Sequence, residues 1–196
     1  MTIPQNFNIE LIPIKALDIP MDIRAQLAVY NKYHMLLISA DTIMLDVGLD
    51  KSPELFEYIK ANHIPCTMYR NKGGTIILTP DDLSIMVLFP NGADEDTVIP
   101  FLKKQLSSFI YKYAGNHVVS EDNNDILIDG YKVSSFAYNP TGYVQLFNFN
   151  VSDKDLVGIP LKDRVKSPKG LTALIGKTKD DLLAELNSIF VDKQYV

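Results

Sequence analysis

The sequence predicts an α+β fold in which a mixed, mainly antiparallel sheet is backed by helices. Three observations support this fold class. Asp129-Gly130 joins two short apolar runs in 124–139, a pattern typical of a β-hairpin. A broad apolar stripe over 94–114 predicts a long amphipathic helix. The predicted strands and helices also follow one another without a regular βαβ alternation, which favours antiparallel pairing.

Composition narrows the class of protein. The chain has 196 residues, of which 46% are hydrophobic and 22% charged, so we expect one globular domain over 1–196 with an N-terminal edge segment at 1–20. A net charge of −5 argues against a nucleic-acid-binding surface. The single cysteine, Cys66, excludes an internal disulfide. No signal peptide and no membrane-spanning apolar run are visible, so we expect a cytoplasmic protein without a membrane partner.

The first half of the chain is predicted to contain short strands and two helices. Prolines confine the first strand to a sheet edge. Asp22 is a candidate cap for a helix at 22–33. Ser52-Pro53-Glu54 predicts the start of a second helix, because it combines a cap, a proline at the first helical position and an acid in the first turn. The strands are predicted at 8–14, 35–39, 42–47, 66–70, 75–79 and 83–89.

The second half contains the long helix, the hairpin and a last helix. Pro100 is tolerated best in a first turn, so the long helix is predicted to start near Thr97. Thr178 and Asp181 resemble a capping box that starts a helix ending near Phe190. Further strands are predicted at 117–120 and 143–150.

Lys132 is the first candidate for chemistry. Strand alternation places Lys132, Ser134 and Phe136 on one face, and a lysine among apolar neighbours requires either access to water or an anionic partner. Asp125 can hold Mg²⁺ together with phosphate oxygens, and a lysine can act on a phosphate as a point charge. The alternative is an exposed hairpin lysine and a turn aspartate.

A glycine-rich stretch is the second candidate. Glycines 73 and 74 would let backbone N–H groups approach an anion, and Arg70 adds positive charge. The alternative is a hairpin turn with solvated basic neighbours. The three histidines lack metal-ligand spacing and are expected at helix ends or on the surface. Cys66 is expected to be a structural cysteine rather than a nucleophile.

Four blocks of sequence together resemble the lipoate–protein ligase family of the biotin/lipoate ligase superfamily. The resemblance covers most of the chain, from about Gln26 to Phe190. The blocks are Gln26-Leu27-Ala28-Val29, Ser39-Ala40-Asp41-Thr42-Ile43-Met44-Leu45, Tyr69-Arg70-Asn71-Lys72-Gly73-Gly74-Thr75, and Asn124-Asp125-Ile126-Leu127 through Gly130-Tyr131-Lys132-Val133-Ser134 to Ala137.

The resemblance implies a class II synthetase-like fold and a two-step reaction. Lipoate, octanoate or a similar carboxylate attacks the α-phosphate of ATP, which gives an acyl-adenylate and pyrophosphate, and the acyl group then passes to a protein lysine. Lys132 would be the catalytic residue, and Asp125 would hold Mg²⁺. Substrate and nucleotide would be bound by Arg70, Gly73, Gly74, Thr75, Asn124, Ser134 and Ala137. The implied partners are a lipoyl-acceptor domain or a small accessory ligase subunit, and no C-terminal accessory domain is expected.

Several positions depart from the family pattern. Tyr69 and Thr75 replace an arginine and a glycine of the loop, and Thr79 replaces a histidine that closes the next strand. Phe136 adds bulk where a small residue is expected. A second hypothesis is therefore a catalytically inactive domain that serves as a binding or interaction module. A cysteine-dependent octanoyltransferase fits less well, because Cys66 precedes the glycine loop.

Overall fold

A seven-stranded sheet lies at the centre of the computed structural model. The structure describes residues 9–18, 33–47, 52–67, 75–90, 93–122, 124–136, 143–151, 153, 159–160 and 168–190. The predicted helix at 22–33 therefore lies, except for Tyr33, outside the described residues, as does the loop at 69–74. Among the described residues, no helix is both long and apolar enough to cross a membrane.

The described strands form two sheets. The strands are β1 Ile9–Lys15, β2 Tyr33–Ser39, β3 Met44–Asp46, β4 Cys66–Thr67, β5 Ile76–Leu78, β6 Leu83–Leu88, β7 Val119–Asp122, β8 Asp125–Ile128, β9 Tyr131–Ser135 and β10 Tyr143–Phe149. Within the described residues the large sheet has the order β1-β2-β6-β10-β9-β8-β7, and the small sheet has the order β4-β3-β5. β1 runs parallel to β2, whereas the other neighbours in the large sheet pair antiparallel.

The described helices are α1 Pro53–Ala61, α2 Glu95–Tyr113, α3 Leu171–Ile175 and α4 Lys179–Phe190. The predicted start of α1 is confirmed, because Ser52 Oγ accepts a hydrogen bond of 3.1 Å from Leu55 N and Pro53 is the first helical residue. The capping box of α4 is confirmed as well. Asp181 Oδ2 accepts from Thr178 N at 2.8 Å, and Thr178 Oγ1 accepts from Asp181 N at 3.3 Å.

The two faces of the large sheet pack against different partners. On one face, Met35, Ile85 and Phe149 pack with Phe109 of α2 and Leu186 of α4 in the largest apolar cluster. Because these side chains are buried away from water, this cluster contributes most of the hydrophobic stabilisation among the described residues. We call this side the helix face.

The opposite face packs against the small sheet. There Leu36, Ile38 and Met86 of the large sheet contact Met44 of β3 and Leu78 of β5. The small sheet therefore covers the β1, β2 and β6 side of the large sheet. We call this side the small-sheet face.

Most predicted elements are confirmed, with two corrections. β1 is an edge strand, as expected, and the hairpin turn has positive φ at Asp129 (50°) and Gly130 (82°), as a two-residue type I′ turn requires. The predicted start of α2 near Thr97 is wrong, because Asp94 accepts a hydrogen bond from Thr97 N and the helix begins at Glu95. Pro100 therefore lies in the second turn. The strand predicted at 117–120 instead covers Val119–Asp122, because the hairpin register sets its ends.

Candidate functional site

A β-bulge in β9 decides which side chains accompany Lys132. Lys132 lies opposite Leu127, and Ser134 lies opposite Ile126, so Val133 has no partner in the register. Ile126 belongs to the helix-face core, so its neighbour Leu127 points to the other side. Lys132 therefore lies on the small-sheet face.

Lys132 forms an ion pair on this face. Its Nζ lies 2.9 Å from Asp125 Oδ1, and the two side chains are 31% and 22% exposed. Partial burial removes some hydration water from both charged groups, and their mutual attraction offsets part of that loss. The pair therefore combines a cation and a carboxylate that remain accessible from solvent.

A row of polar residues continues from this pair across the sheet. Asp125 pairs with Ser135, Ser135 with Asn148, and Asn148 with Ser84. Directly paired residues share a face, so these side chains lie on the small-sheet face of β8, β9, β10 and β6. Asp125 and Ser135 are half-buried, whereas Asn148 and Ser84 are buried. The row, which we call the polar row, thus runs from a partly exposed end to a buried end.

Two asparagines connect the polar row to the backbone of Lys132. Asn150 donates from Nδ2 to the carbonyl oxygen of Lys132 at 3.0 Å, and Asn148 donates from Nδ2 to Asn150 Oδ1 at 3.2 Å. The amide of Lys169 donates to the same carbonyl at 3.0 Å. These hydrogen bonds fix the position of the Lys132 backbone relative to β10.

The predicted grouping of Lys132, Ser134 and Phe136 on one face is wrong. The bulge turns Ser134 toward the helix face, where it lies opposite Phe149 and is fully buried. Phe136 packs against the helix-face core, with Lys103 Nζ of α2 5.6 Å from its ring centre. The side chain of Ser134 is therefore separated from Lys132, and the bulk of Phe136 lies on the far side of the sheet. Ser135 joins Lys132 instead.

The other predicted site residues have varied positions. Thr75 is half-buried just before β5, and β5 packs on the same face as Lys132. Asn124 is exposed at the hairpin entrance, where its carbonyl accepts from Phe136 N at 2.7 Å. Arg70, Gly73, Gly74 and Ala137 lie outside the described residues.

The histidine expectations are partly confirmed, and the structural role expected for Cys66 stays a prediction. His63 and His117 are exposed, as predicted, but the surface prediction for His34 is wrong, because His34 is 2% exposed on β2 with Nδ1 3.4 Å from Glu10 Oε2. Cys66 is exposed on β4. Within the described ranges, no three His, Cys, Asp or Glu side chains cluster in a way that would hold a metal ion.

The sequence did not single out Asp82, which is a buried carboxylate with a structural role. Its Oδ2 accepts from the N–H and the hydroxyl of Thr79, both at 2.9 Å, and its Oδ1 accepts from Val151 N at 2.7 Å. Nearby, burial lowers the pKa of Lys179, with the charge of Asp82 acting in the opposite direction, and Lys179 Nζ donates to the carbonyl of Pro80 at 2.9 Å. Asp82 therefore joins the β5–β6 turn to the end of β10.

Two grooves lie away from Lys132. One, of about 570 Å³, is bordered by Asp81, Asp153 and Lys179, and the other, of about 690 Å³, lies along α2 beside Lys104 and Tyr111. Neither is lined by a residue of the polar row. The candidate site is therefore defined by the Lys132–Asp125 pair and the polar row, and not by either groove.

Comparison with known proteins shows the fold of the chain. No family model matches it, and no curated protein matches it significantly. Among solved structures, protein Ta0514 of T. acidophilum, with bound lipoic acid, matches with a TM-score of 0.69 at 14% identity, over 95% of this chain and 86% of that chain. A structure of the Thermoplasma acidophilum lipoylation system, which comprises a bipartite lipoate protein ligase and its E2 lipoyl domain, gives 0.68 at 15% identity, with coverages of 95% and 84%.

A structure of lipoate-protein ligase A bound with ATP also matches, with a TM-score of 0.67 at 16% identity and coverages of 95% and 84%. The chain therefore has the class II synthetase-like fold of the biotin and lipoate ligases, as the sequence predicts. At these identities the likeness establishes the fold and leaves the chemistry to the residues of this chain.

Proposed function

We propose that this protein is an ATP-dependent ligase that adenylates lipoate, octanoate or a similar carboxylic acid and transfers the acyl group to a protein lysine. The observation that carries the proposal is the Lys132–Asp125 pair, with its nitrogen–oxygen distance of 2.9 Å, on the partly open end of the polar row. It is supported by a fold shared with a ligase solved with ATP and with a protein solved with lipoic acid. A cytoplasmic location stays a prediction.

Lys132 is suited to the first step. Carboxylate attack on the α-phosphate brings two anions together, and a nearby ammonium reduces their repulsion and stabilises the charge that develops in the transition state. Lys132 Nζ lies 2.9 Å from one carboxylate oxygen of Asp125 and the lysine side chain is 31% exposed, so an incoming anion can displace Asp125 or bind the ammonium beside it. Thr75 and Asn124, together with Arg70, Gly73, Gly74 and Ala137 outside the described residues, remain proposed contacts for substrate or nucleotide.

Asp125 is the proposed Mg²⁺ ligand. A single carboxylate fits Mg²⁺ only when phosphate oxygens and water complete its octahedral shell, which is how this ion usually binds nucleotides. When bound, the ion would neutralise phosphate charge and orient the leaving pyrophosphate. Release of Asp125 from Lys132 would free both groups for the nucleotide.

A partner protein is part of the proposal. The acyl group requires an acceptor lysine, and the matching archaeal system comprises a bipartite ligase and a lipoyl domain. We propose a lipoyl-acceptor domain, with or without a small accessory ligase subunit, as the partner of this chain.

A non-catalytic binding module is the second candidate. It is favoured by Thr79, whose hydroxyl donates to Asp82 at the position where the family pattern has a histidine. A structural hydrogen bond there replaces a side chain that titrates near neutral pH.

Isothermal titration with Mg²⁺, lipoate and a non-hydrolysable ATP analogue tests the proposal, together with a pyrophosphate-release assay. We expect the wild type to bind both ligands and Lys132→Ala to lose at least about a hundredfold in the adenylation rate, because it removes preorganised charge stabilisation. Lys15→Ala is a matched control, since Lys15 is also a strand lysine paired with an aspartate, at 2.7 Å from Asp41.

We expect Lys15→Ala to retain the wild-type rate. Binding without turnover in the wild type would favour the non-catalytic module. If folded wild type bound neither nucleotide nor acid, the ligase proposal would be wrong.

A further inference from the structure

Asn148 has a buried acceptor that no group in the described part of the chain satisfies. The residue is 5% exposed, and its Oδ1 has no hydrogen-bond donor there. A buried acceptor without a donor destabilises the folded protein, because it has lost its hydration and gained no hydrogen bond. Such a group in a folded protein therefore requires an explanation, and a bound ligand is one.

The orientation of this amide is determined by its neighbours. Asn150 must present Nδ2 to the carbonyl of Lys132, since a carbonyl only accepts, which leaves Asn150 Oδ1 to receive a donor. Asn148 supplies that donor from Nδ2. Its Oδ1 is thus left as the acceptor, and rotating the amide by 180° would place two oxygens against each other.

The position of Asn148 relates it to the proposed chemistry. Asn150 donates a hydrogen bond to the carbonyl oxygen of Lys132. Asn148 precedes Asn150 by two residues, which is about 7 Å along the strand direction from that contact. Lys132 marks the partly exposed end of the polar row, whereas Asn148 and Ser84 form its buried end. A ligand whose carboxylate is at Lys132 would extend its chain toward the buried end.

We propose that Asn148 Oδ1 accepts a hydrogen bond from the acyl chain of the substrate, so that the site selects a carboxylic acid bearing an O–H or N–H donor on its chain over a purely aliphatic one. This inference rests on the proposed ligase function. An aliphatic chain in the same place would leave Asn148 Oδ1 unpaired. A site built around a buried acceptor discriminates against ligands that lack the donor.

Titration of the wild type with matched acids tests the inference. Octanoate is compared with its mid-chain and terminal hydroxyl derivatives, each in the presence of Mg²⁺ and the non-hydrolysable ATP analogue. We expect at least one hydroxyl derivative to bind about tenfold more tightly than octanoate, a difference of about 1.4 kcal/mol. If every hydroxyl derivative bound the wild type no more tightly than octanoate, the inference would be overturned by the wild-type data alone.

Asn148→Leu supplies the second measurement. This variant replaces the acceptor with an apolar group of similar size, and we expect it to reverse the preference in favour of octanoate. Ser107→Ala is the control, because Ser107 is also a buried polar residue but lies on α2, which packs on the helix face. We expect Ser107→Ala to keep the wild-type preference.

The remaining outcomes are also decisive. Unchanged preference in Asn148→Leu would mean that a buried water satisfies the acceptor, and the inference would be wrong. Weaker binding of the nucleotide analogue alone by Asn148→Leu would assign the donor to the nucleotide and would also overturn it. If the wild type binds nucleotide and acids without preference, only this inference fails. If it binds neither, the ligase proposal fails as well.

Discussion

At the scale of single residues, Asp82 shows how one carboxylate can join distant parts of the chain. It is fully buried, yet it accepts three hydrogen bonds, two from Thr79 and one from Val151. Hydrogen bonds to a charged group contribute about 1.5–3 kcal/mol each, and this gain offsets the loss of hydration. Asp82 thus supports the turn before β6 and the segment after β10 together.

Asp82→Ala is expected to lower the free energy of unfolding by about 3 kcal/mol or more, because it removes the acceptor of the buried Val151 N–H and of the half-buried N–H and hydroxyl of Thr79. Urea denaturation followed by circular dichroism measures the change. The neighbouring Asp81 is exposed, so Asp81→Ala should shift the free energy by no more than about 0.5 kcal/mol. Similar effects of the two substitutions would contradict a structural role specific to Asp82.

At the scale of elements, the β8–β9 hairpin is closed by its own turn residue. Asp129 Oδ2 lies 2.6 Å from His117 Nδ1, and its Oδ1 accepts from Val118 N at 2.9 Å. The hydrogen bond with His117, followed by that from Val118, lowers the pKa of Asp129. The turn is thereby attached to the segment that leads into β7.

This depressed pKa predicts an acid-sensitive hairpin. The stabilisation is fully present above the unfolded-state pKa, about 4, and is lost as the pH falls through the lower folded-state value. Asp129→Asn keeps a residue that tolerates positive φ but cannot titrate, so its unfolding free energy should depend less steeply on pH in the acid range. Urea denaturation at a series of pH values, with an NMR titration of the Asp129 carboxyl, measures this.

Asp81→Asn removes another exposed turn carboxylate and should leave the slope with pH close to that of the wild type. An Asp129 carboxyl that titrates at or above the ordinary aspartate pKa would refute the prediction.

The long helix α2 contains a proline that its geometry does not favour. Pro100 lies in the second turn, where a residue with an N–H would donate to the carbonyl of Asp96. Pro100→Ala should restore that bond and remove a steric clash, against a smaller gain in unfolded-chain entropy. We expect the free energy of unfolding to rise by about 1 kcal/mol, measured by urea denaturation.

Pro53→Ala provides the contrast, because Pro53 occupies the first position of α1, where a proline is favourable. It should lower stability slightly. A loss of stability in Pro100→Ala would show that the proline is required for the path of α2.

At the scale of the whole molecule, α2 is the main support of the large sheet. Phe109 is 1% exposed and makes an edge-to-face contact with Phe149 of β10, with ring centres 6.5 Å apart. Aromatic pairs of this geometry add to the stabilisation from burial. Because β10 also contains Asn148, this contact supports the strand beneath the candidate site from its opposite face.

Phe109→Ala is expected to lower the free energy of unfolding by about 3–5 kcal/mol, through lost burial and the cavity left behind. Tyr111 is its matched control, since it lies two residues later on α2 and is 47% exposed. Tyr111→Ala should cost less than about 1 kcal/mol, including its hydrogen bond to Glu121. Comparable losses in the two variants, measured by calorimetry, would mean that α2 does not pack as described.

Local features of the fold were predictable because their causes lie within a few residues. The Asp129-Gly130 turn, the Ser52 cap and the Thr178 capping box all depend on neighbouring backbone groups, and all three are confirmed. The start of α2 was predicted wrongly, since the preference of Pro100 for a first turn is weaker than the cap at Asp94 and the packing of the helix.

The sequence by itself determined the fold class, the hairpin and Lys132 as the residue to examine. It did so because turn, capping and hydrophobic patterns are local properties of a chain. Only the tertiary structure decided that Ser135, Asn148 and Ser84 accompany Lys132 while Ser134 and Phe136 face the helices. That outcome depends on one bulge and on pairing between strands far apart in sequence. The alternation of side chains along one strand predicts neither the bulge nor the pairing, because long-range packing selects the register.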